Sequence, residues 1–277
     1  MFKRVEEYRA NKILYNFIRS NNIKGTVLLP ANICTDVVAT LTCSGLVPLY
    51  VDISLDTFCV DDQLAISLVS QIHVFLFVHT YGVEDSFDSL FRKLRELNPE
   101  IIIIDDRCLC APCHVENSLA DLVLFSTGKK KQFDMGMGGI GYIRQSFDYF
   151  NVTDLSGLLK DCQFSLDYTS YTEQIADELE HKKQLSTLYS RLLPSRIQFP
   201  SKFQHWRFNI FVDNKTEILE ALFSAGLYAS GHYRPMDDRC QNAQWLFSHV
   251  INLFEDKHYT VDQVNETCDI INRLIRL

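Results

Sequence analysis

The chain has 277 residues, 47% of them hydrophobic, and a formal net charge of −8 at pH 7. This length allows one large or two modest domains, and the acidic balance argues against nucleic acid as a partner, because no basic cluster exceeds the three lysines at 129–131. No apolar run approaches the ~20 residues of a membrane span, and the N-terminus lacks the apolar segment of a signal peptide. We therefore expect a cytoplasmic protein that binds neither nucleic acid nor membrane.

Apolar patterns predict an alternation of strands and helices in the first half of the chain. A helix is predicted over residues 5–20. The predicted strands that follow are residues 26–29, 47–51, 73–78, 101–104, 122–125 and 140–143, and the predicted helices are residues 36–44, 61–70 and 85–97. Strand and helix repeated at this pitch predict a mostly parallel α/β sheet with helical crossovers.

The second half of the chain has a different pattern. Residues 145–161 have a loop-like composition, and residues 171–193 are predicted to form one long helix that Pro194 ends. Strands at 207–212 and 250–253 and helices at 216–225 and 261–275 then predict a compact α/β unit. We therefore divide the chain into a large cofactor-binding domain, residues 1–165, and a linking helix with a small C-terminal α/β domain, residues 166–277.

Nine cysteines are scattered along the chain without a disulfide framework, which is typical of a reducing cytosol. The group Cys108, Cys110 and Cys113, followed by His114, leaves a metal or redox site open as an alternative. A structural zinc site usually takes ligands from two separated pairs, and the chain has no second pair. We expect buried or partly buried thiols and no metal.

Acidic and basic residues follow two apolar runs in the middle of the chain. Asp105 and Asp106 come directly after four isoleucines, and Lys129–Lys131 follow the strand predicted at 122–125. The carboxyl ends of parallel strands meet at one crevice, where open α/β sheets bind ligands. A buried acid and a lysine facing one crevice are the minimum needed to hold a pyridoxal phosphate, since the lysine forms a Schiff base and the acid keeps the pyridine nitrogen protonated.

Four motifs, in order, resemble the DegT/StrS type of sugar aminotransferase, a family of fold-type I pyridoxal-phosphate enzymes. The motifs are Leu28–Thr35 with Val47–Ile53, Val78–Gly82, Ile103–Asp106, and Ser126 followed by Lys131 and by Gly136-Met137-Gly138-Gly139. The resemblance covers roughly residues 9–274. It implies a fold-type I PLP-transferase-like fold and an active site between the subunits of a homodimer.

The resemblance also implies roles for individual residues. The family spacing of five residues from serine to lysine and five to glycine selects Lys131 as the Schiff-base lysine over Lys129 and Lys130. Asp106 is then the acid on the pyridine nitrogen, and Ser126 donates to the cofactor phosphate. Ala10 and Asn11 align with the turn at a helix N-terminus that binds the same phosphate.

Some positions depart from the family pattern. Cys34 stands where the family places a residue, usually aromatic, that packs on the cofactor ring. Leu109 replaces a glutamine that contacts the ring hydroxyl, and Ala10-Asn11 replaces a glycine-containing turn. The resemblance further suggests four substrate contacts, which are His79, Tyr81, His232 and Arg234.

We therefore expect an aminotransferase that moves an amino group, from glutamate, to a nucleotide-linked keto-sugar. Two other interpretations stay open. A catalytically degenerate relative would serve as a non-enzymatic binding or regulatory partner, which Leu109, Cys34 and the atypical first turn favour. A sugar dehydratase of the same fold would carry a histidine in place of the lysine, and Lys131 argues against it.

Overall fold

A computed structural model describes residues 1–152, 168–231 and 233–275, with side chains described for all of these except 168–174. A seven-stranded sheet dominates the first half of the chain. Its strands are β1 (Phe2–Glu7), β2 (Gly25–Pro30), β3 (Leu46–Val51), β4 (Val74–Val78), β5 (Ile102–Asp106), β6 (Leu122–Ser126) and β7 (Gly139–Arg144). The strand order is β1-β7-β6-β5-β4-β2-β3.

The middle of this sheet is parallel. Strands β3, β2, β4, β5 and β6 run in one direction, and β7 is antiparallel to both β6 and β1. The central strands are continuous apolar runs because helices cover both faces of the sheet. The predicted mostly parallel α/β sheet is therefore confirmed.

Four helices flank the sheet, namely α1 (Ala10–Ser20), α2 (Thr35–Cys43), α3 (Asp62–Leu68) and α4 (Asp88–Leu97). Helices α1 and α2 pack on one face through residues such as Phe17 and Leu41. Helices α3 and α4 pack on the other face through residues such as Ala65 and Leu94. The carboxyl ends of β4, β5 and β6 thus open at one edge of a three-layer structure.

The predicted helix over residues 5–20 is wrong at its start. Residues 2–7 form β1, which pairs with β7 from Phe2 opposite Arg144 to Glu7 opposite Gly139, and the helix begins only at Ala10. Strand β7 offers residues 2–7 a pairing partner at the edge of the sheet, and this tertiary contact overrides the local helical pattern. This pairing places the first turn of α1 beside the start of β7.

The second half of the chain contains a three-stranded sheet in the order β8-β10-β9. Its elements are the long helix α5 (Tyr168–Leu192), β8 (Phe208–Phe211), α6 (Lys215–Ser224), β9 (Ala229–Ser230), α7 (Gln241–His249), β10 (Val250–Leu253) and α8 (Val261–Leu274). The predicted helices and strands are present, and β9 and α7 are additional. Helix α7 docks on the large sheet, because the Asp52 carboxylate accepts the backbone N–H groups of Asn242 and Ala243, each at 2.9 Å.

The two sheets share part of one core. Phe203, which precedes β8, packs its ring 4.8 Å from that of Phe58, and Phe199 lies 5.2 Å from the same ring. The division of the chain near residue 165 into two domains therefore stays a prediction, since residues on both sides of it contribute to the same apolar cluster. In the part of the chain that the structure covers, no helix is long and apolar enough to cross a bilayer.

Candidate active site

Asp106 lies where β5 ends, at the crevice edge of the sheet. Its side chain is 6% exposed, and its Oδ1 accepts the backbone N–H of Cys108 at 2.9 Å. None of the described cations forms an ion pair with it. The nearby Arg107 and His79 both pair with Asp105 instead. The Cys108 thiol is also hydrogen-bonded to the Asp106 carboxylate. A buried carboxylate with only these neutral donors is costly without a cationic partner, so this arrangement fits a protonated pyridine nitrogen.

Asp105 points to the opposite face of β5, as adjacent residues of a strand do. It is fully buried, and its two oxygens lie 2.8 Å from His79 Nε2 and 2.7 Å from Arg107 Nε. Although burial opposes ionisation, His79 and Arg107 outweigh it and hold the pKa of Asp105 below its usual value. Asp105 is thus an ion-paired structural acid, while Asp106 stays available to a ligand.

His79 has both ring nitrogens engaged within the protein. Nδ1 lies 2.7 Å from the Val83 carbonyl and Nε2 lies 2.8 Å from Asp105. Both contacts are to groups within the protein, so neither ring nitrogen is left free for a ligand. Tyr81 is also fully buried, with its ring 5.8 Å from that of Phe58. These placements favour structural roles, and the predicted substrate contacts of His79 and Tyr81 gain no support from them.

Ser126 and the first turn of α1 meet at the start of β7. Ser126 is opposite Gly139 in the β6–β7 ladder, and a Cβ atom on Gly139 would lie only 2.3 Å from the backbone nitrogen of Ala10. Helix α1 has no side-chain cap, since its N-cap residue Arg9 makes no such hydrogen bond. Unsatisfied helix N–H groups beside a serine hydroxyl suit a phosphate. Ala10 and Ser126 therefore both lie beside Gly139, and Asn11 follows Ala10 in the first turn of α1.

The loop after β6 carries the three lysines, and only Lys131 is half-buried while Lys129 and Lys130 are exposed. The Lys131 N–H donates to the Gly128 carbonyl at 3.2 Å. Burial raises the pKa of the Cys108 thiol, Asp106 raises it further, and the charge of Lys131 opposes the rise. Lys131 is therefore within electrostatic range of Cys108, in the turn that follows Asp106.

Lys130 fixes the shape of this loop. Its backbone is left-handed, with φ of 63°, its N–H donates to Asp134 Oδ2 at 2.7 Å, and its carbonyl accepts the Trp206 indole N–H at 2.9 Å. Contacts on both sides of Lys130 hold the neighbouring Lys131 in place.

Cys34 is the N-cap residue of α2, near the crevice. Its thiol is hydrogen-bonded to the hydroxyl of Tyr233, and burial raises the pKa of that hydroxyl, with smaller contributions from Cys34 and Asp106. Leu109 is 7% exposed and belongs to the apolar core on the other face of the sheet. The position that donates to the ring hydroxyl in the family is thus apolar here, while a tyrosine that the sequence analysis missed stands close to Asp106.

The remaining sequence candidates lie elsewhere. Arg234 is 76% exposed and lies 4.0 Å from Asp238, and His232 lies outside the described residues. Burial raises the pKa values of Cys108, Cys110 and Cys113, so these thiols are not activated. Within the described ranges, no group of three or more His, Cys, Asp or Glu side chains is arranged to hold a metal ion.

Residues around the three-stranded sheet line a cavity beside the lysine loop, which sequence patterns did not reveal. Arg207 precedes β8 and is 8% exposed, and its guanidinium carbon lies 4.2 Å from the centre of the Trp206 ring and 3.9 Å from that of the Phe254 ring. A cavity of about 600 Å³ opens beside the same lysine loop, lined by Lys129, Lys130, Asp134, Met135, Gly136, Tyr228, Phe254, Asp256, Lys257, His258, Tyr259 and Gln263. These residues are far apart in sequence, so only folding brings them to the lysine loop.

Comparison with known proteins identifies relatives of this arrangement. The profile of the DegT/DnrJ/EryC1/StrS aminotransferase family matches residues 10–146, whereas a search of curated proteins finds no match. Among solved structures, Spr1654 of Streptococcus pneumoniae, assigned as a sugar aminotransferase and solved in its PLP form, superposes with a TM-score of 0.78 at 19% identity, covering 99% of this chain and 88% of that one.

Two further structures share the fold. DesI, solved with its TDP-sugar product, has a TM-score of 0.76 at 16% identity, covering 98% of this chain and 80% of that one. The GDP-4-keto-6-deoxy-D-mannose-3-dehydratase of E. coli, with bound hydrated PLP, has a TM-score of 0.69 at 13% identity, covering 96% and 87%. The predicted fold class is thus confirmed. The sequence match over residues 10–146, just under half of the chain, and the shared fold show that this chain resembles the DegT/DnrJ/EryC1/StrS aminotransferase family.

Proposed function

We propose that this protein is a pyridoxal-phosphate-dependent aminotransferase that moves an amino group from glutamate to a nucleotide-linked keto-sugar. The observation that carries the proposal is the convergence of three features on one crevice, which are the unpaired buried carboxylate of Asp106, the half-buried Lys131, and the uncapped first turn of α1 beside Ser126. Together they match the pyridine nitrogen, the aldehyde and the phosphate of one cofactor.

Each part of the crevice has a separate task. When bound, pyridoxal phosphate supplies an aldehyde and an electron-withdrawing ring. The amine of Lys131 would hold the cofactor covalently and, when free, would take the proton from the Cα of the amino donor. The Asp106 carboxylate holds the proton on the pyridine nitrogen. Ser126 and the N–H groups of Ala10 and Asn11 bind the phosphate and fix the ring's position.

A nucleotide-linked acceptor has support from the cavity beside the lysine loop. Its volume of about 600 Å³ is large enough for a sugar with much of a nucleotide. Three lysines of its lining, Lys129, Lys130 and Lys257, outnumber its two aspartates, Asp134 and Asp256. The solved relative DesI binds a TDP-sugar product. We infer a similar acceptor here. We also infer a cytoplasmic location and a homodimer, and light scattering on the purified protein tests the homodimer.

The dehydratase interpretation draws support from the fold shared with the E. coli enzyme. The chain itself favours amino transfer, because position 131 is a lysine and that interpretation calls for a histidine. The interpretation as a non-enzymatic partner draws on Leu109, which cannot donate a hydrogen bond.

A two-stage experiment separates these functions. The protein is loaded with pyridoxal phosphate, and glutamate is added without acceptor. We expect the near-visible band of the lysine-bound cofactor to disappear and 2-oxoglutarate to form, and keto-sugars linked to TDP, GDP or UDP to restore the band. Aminated sugar in the mass spectrum supports amino transfer, and loss of water from the sugar would instead support the dehydratase. A cofactor band with no response to any amino donor contradicts the proposal.

A further inference from the structure

Asp134 fixes the lysine loop, residues 128–136, from within. Its carboxylate is buried, and its two oxygens accept the N–H of Lys130 at 2.7 Å and the N–H of Gly136 at 2.8 Å. These two donors lie on either side of residues 131–135 in the sequence. A single carboxylate therefore closes the turn that carries Lys131.

Two oppositely charged side chains hold the backbone of Asp134 from outside the loop. Its N–H donates to Glu178 Oε2 at 3.1 Å, and its carbonyl accepts a hydrogen bond from the Lys257 ammonium. Lys257 Nζ also lies 2.9 Å from Glu178 Oε1, and the Glu178 side chain is only 15% exposed. Glu178 belongs to α5 and Lys257 follows β10. This Glu178–Lys257 bridge thus ties the loop to residues 44 and 123 positions away in the sequence.

Helix α5 reaches the loop a second time, through Trp206. Lys182, one helical turn after Glu178, donates to the Trp206 carbonyl at 3.4 Å, and the Trp206 indole N–H donates to the Lys130 carbonyl at 2.9 Å. The loop is therefore bonded to this face of α5 both before and after Lys131. Because a backbone N–H or C=O that loses its partner away from water costs free energy, these bonds favour one conformation of the loop.

We propose that Glu178 and Lys257 are positioning residues that hold Lys131 in place for imine formation, an inference that rests on the proposed pyridoxal-phosphate function. They act through the backbone of Asp134 and need no contact with the cofactor. An amine that is already held in place needs less ordering when the imine forms. Loss of the bridge should therefore weaken the covalent attachment of the cofactor and spare the noncovalent contacts of its phosphate and ring. Lys257 also lines the cavity proposed for the acceptor, so the tests use the cofactor alone.

The first test needs no cofactor. In Glu178→Ala the N–H of Asp134 loses its acceptor, and we expect hydrogen exchange of residues 128–136 to quicken on the order of 10-fold, as for loss of a hydrogen bond to a charged group. Mass spectrometry of peptides from this loop measures the exchange. Glu178→Gln keeps an acceptor oxygen and should show a smaller effect. Glu180→Ala removes an exposed acid of the same helix and, as the matched control, should exchange as wild type does.

The second test separates covalent from noncovalent binding. Pyridoxal phosphate can form an imine, whereas 4′-deoxypyridoxine phosphate has the same ring and phosphate but no aldehyde. In Glu178→Ala we expect the affinity for pyridoxal phosphate, followed by the imine absorbance band, to fall on the order of 10-fold. The affinity for the deoxy analogue, measured by calorimetry, should stay as in wild type. Lys257→Met should have a similar effect, and the double variant should lose less than the two single effects combined, because both side chains act on Asp134.

The outcomes distinguish the bridge from the proposed function. Equal losses of affinity for the two ligands would mean that the bridge only supports the fold and would overturn the proposal, as would unchanged exchange of the loop in Glu178→Ala. If wild type forms no imine, the proposed function has failed and the positioning role with it, while faster exchange in Glu178→Ala would still show that the bridge holds the loop. If Glu178→Ala does not fold, Glu178→Gln and Lys257→Met make the same comparison.

Discussion

At the residue scale, Asp105 and Asp106 are adjacent and yet have different partners. Asp105 is saturated by His79 and Arg107, whereas Asp106 is bonded to the backbone N–H and the thiol of Cys108 and has no cationic partner among the described residues. The difference follows from the alternation of a strand, which sends one carboxylate to each face of the sheet. We therefore expect substitutions at the two positions to separate catalysis from stability.

Asp106→Asn should retain the fold and lose activity. The amide cannot stabilise a proton on the pyridine nitrogen, so we expect turnover to fall about 10²- to 10³-fold, as for loss of one electrostatic contact to a reacting group. Cofactor binding should also weaken. Turnover with glutamate and an acceptor, together with an unchanged denaturation curve, checks this. Wild-type turnover in Asp106→Asn would remove Asp106 from the cofactor site.

Asp105→Asn should have the opposite effect. Removal of the carboxylate charge leaves Arg107 without its ionic partner, and we expect a loss of about 3–5 kcal/mol in the free energy of unfolding. The pKa of Asp105 is lowered in the folded state, so the ion pair stabilises the protein above the unfolded pKa of about 3.9 and that stability is lost as pH falls. Urea denaturation over a range of acidic pH should show a flatter pH dependence for the variant. An equally steep acid loss in Asp105→Asn would contradict this role.

At the element scale, the contact between α1 and β7 builds the phosphate site. Gly139 permits it, because a side chain there would overlap the backbone of Ala10 and Arg9. Gly139→Ala should push the helix N-terminus away from Ser126, costing about 1–3 kcal/mol of stability and weakening cofactor binding. Gly128→Ala is the control, since its Cβ would lie at an ordinary 3.5 Å from Ser126 Oγ. Titration with pyridoxal phosphate and chemical denaturation measure both effects, and equal affinities in the two variants would exclude this role of the glycine.

Most elements of the fold were predictable from the sequence because they follow apolar runs of the correct period. Strands β2 to β7 and helices α2 to α4 lie within a few residues of their predicted positions. Strand β1 was missed because its pairing with β7 is a tertiary contact that local periodicity does not encode. Strand β9, of two residues, and helix α7 have patterns too short or weak to stand out.

The site shows the same difference between residues in local sequence patterns and residues placed by tertiary contacts. Asp106, Ser126 and Lys131 were accessible because each lies in or just after a recognisable strand. Arg207 and Tyr233 were not, since they are placed by contacts with residues distant in sequence, such as Phe254 for Arg207 and Cys34 for Tyr233. A tryptophan–arginine pair opening a predicted strand was the only sequence signal for Arg207.

At the scale of the whole molecule, the cofactor should stabilise the folded protein. A ligand that binds only the native state at about 100 times its Kd adds about 2.7 kcal/mol. For a chain of this size that corresponds to a rise in Tm of roughly 5–10 °C. A thermal scan with and without pyridoxal phosphate checks this, with pyridoxine, which lacks both the phosphate and the aldehyde, as the control ligand. Equal Tm values in all three conditions would contradict a specific site.

The most direct test of the central claim is chemical. The protein is incubated with pyridoxal phosphate, reduced with borohydride to fix any imine, digested, and mapped by mass spectrometry. The site described here predicts one phosphopyridoxyl group, on Lys131, and none on Lys129 or Lys130. The Lys131→Ala variant should carry no label and should otherwise keep its fold. A label on another lysine, or none in the wild-type protein, would contradict the assignment of this crevice as a pyridoxal-phosphate site.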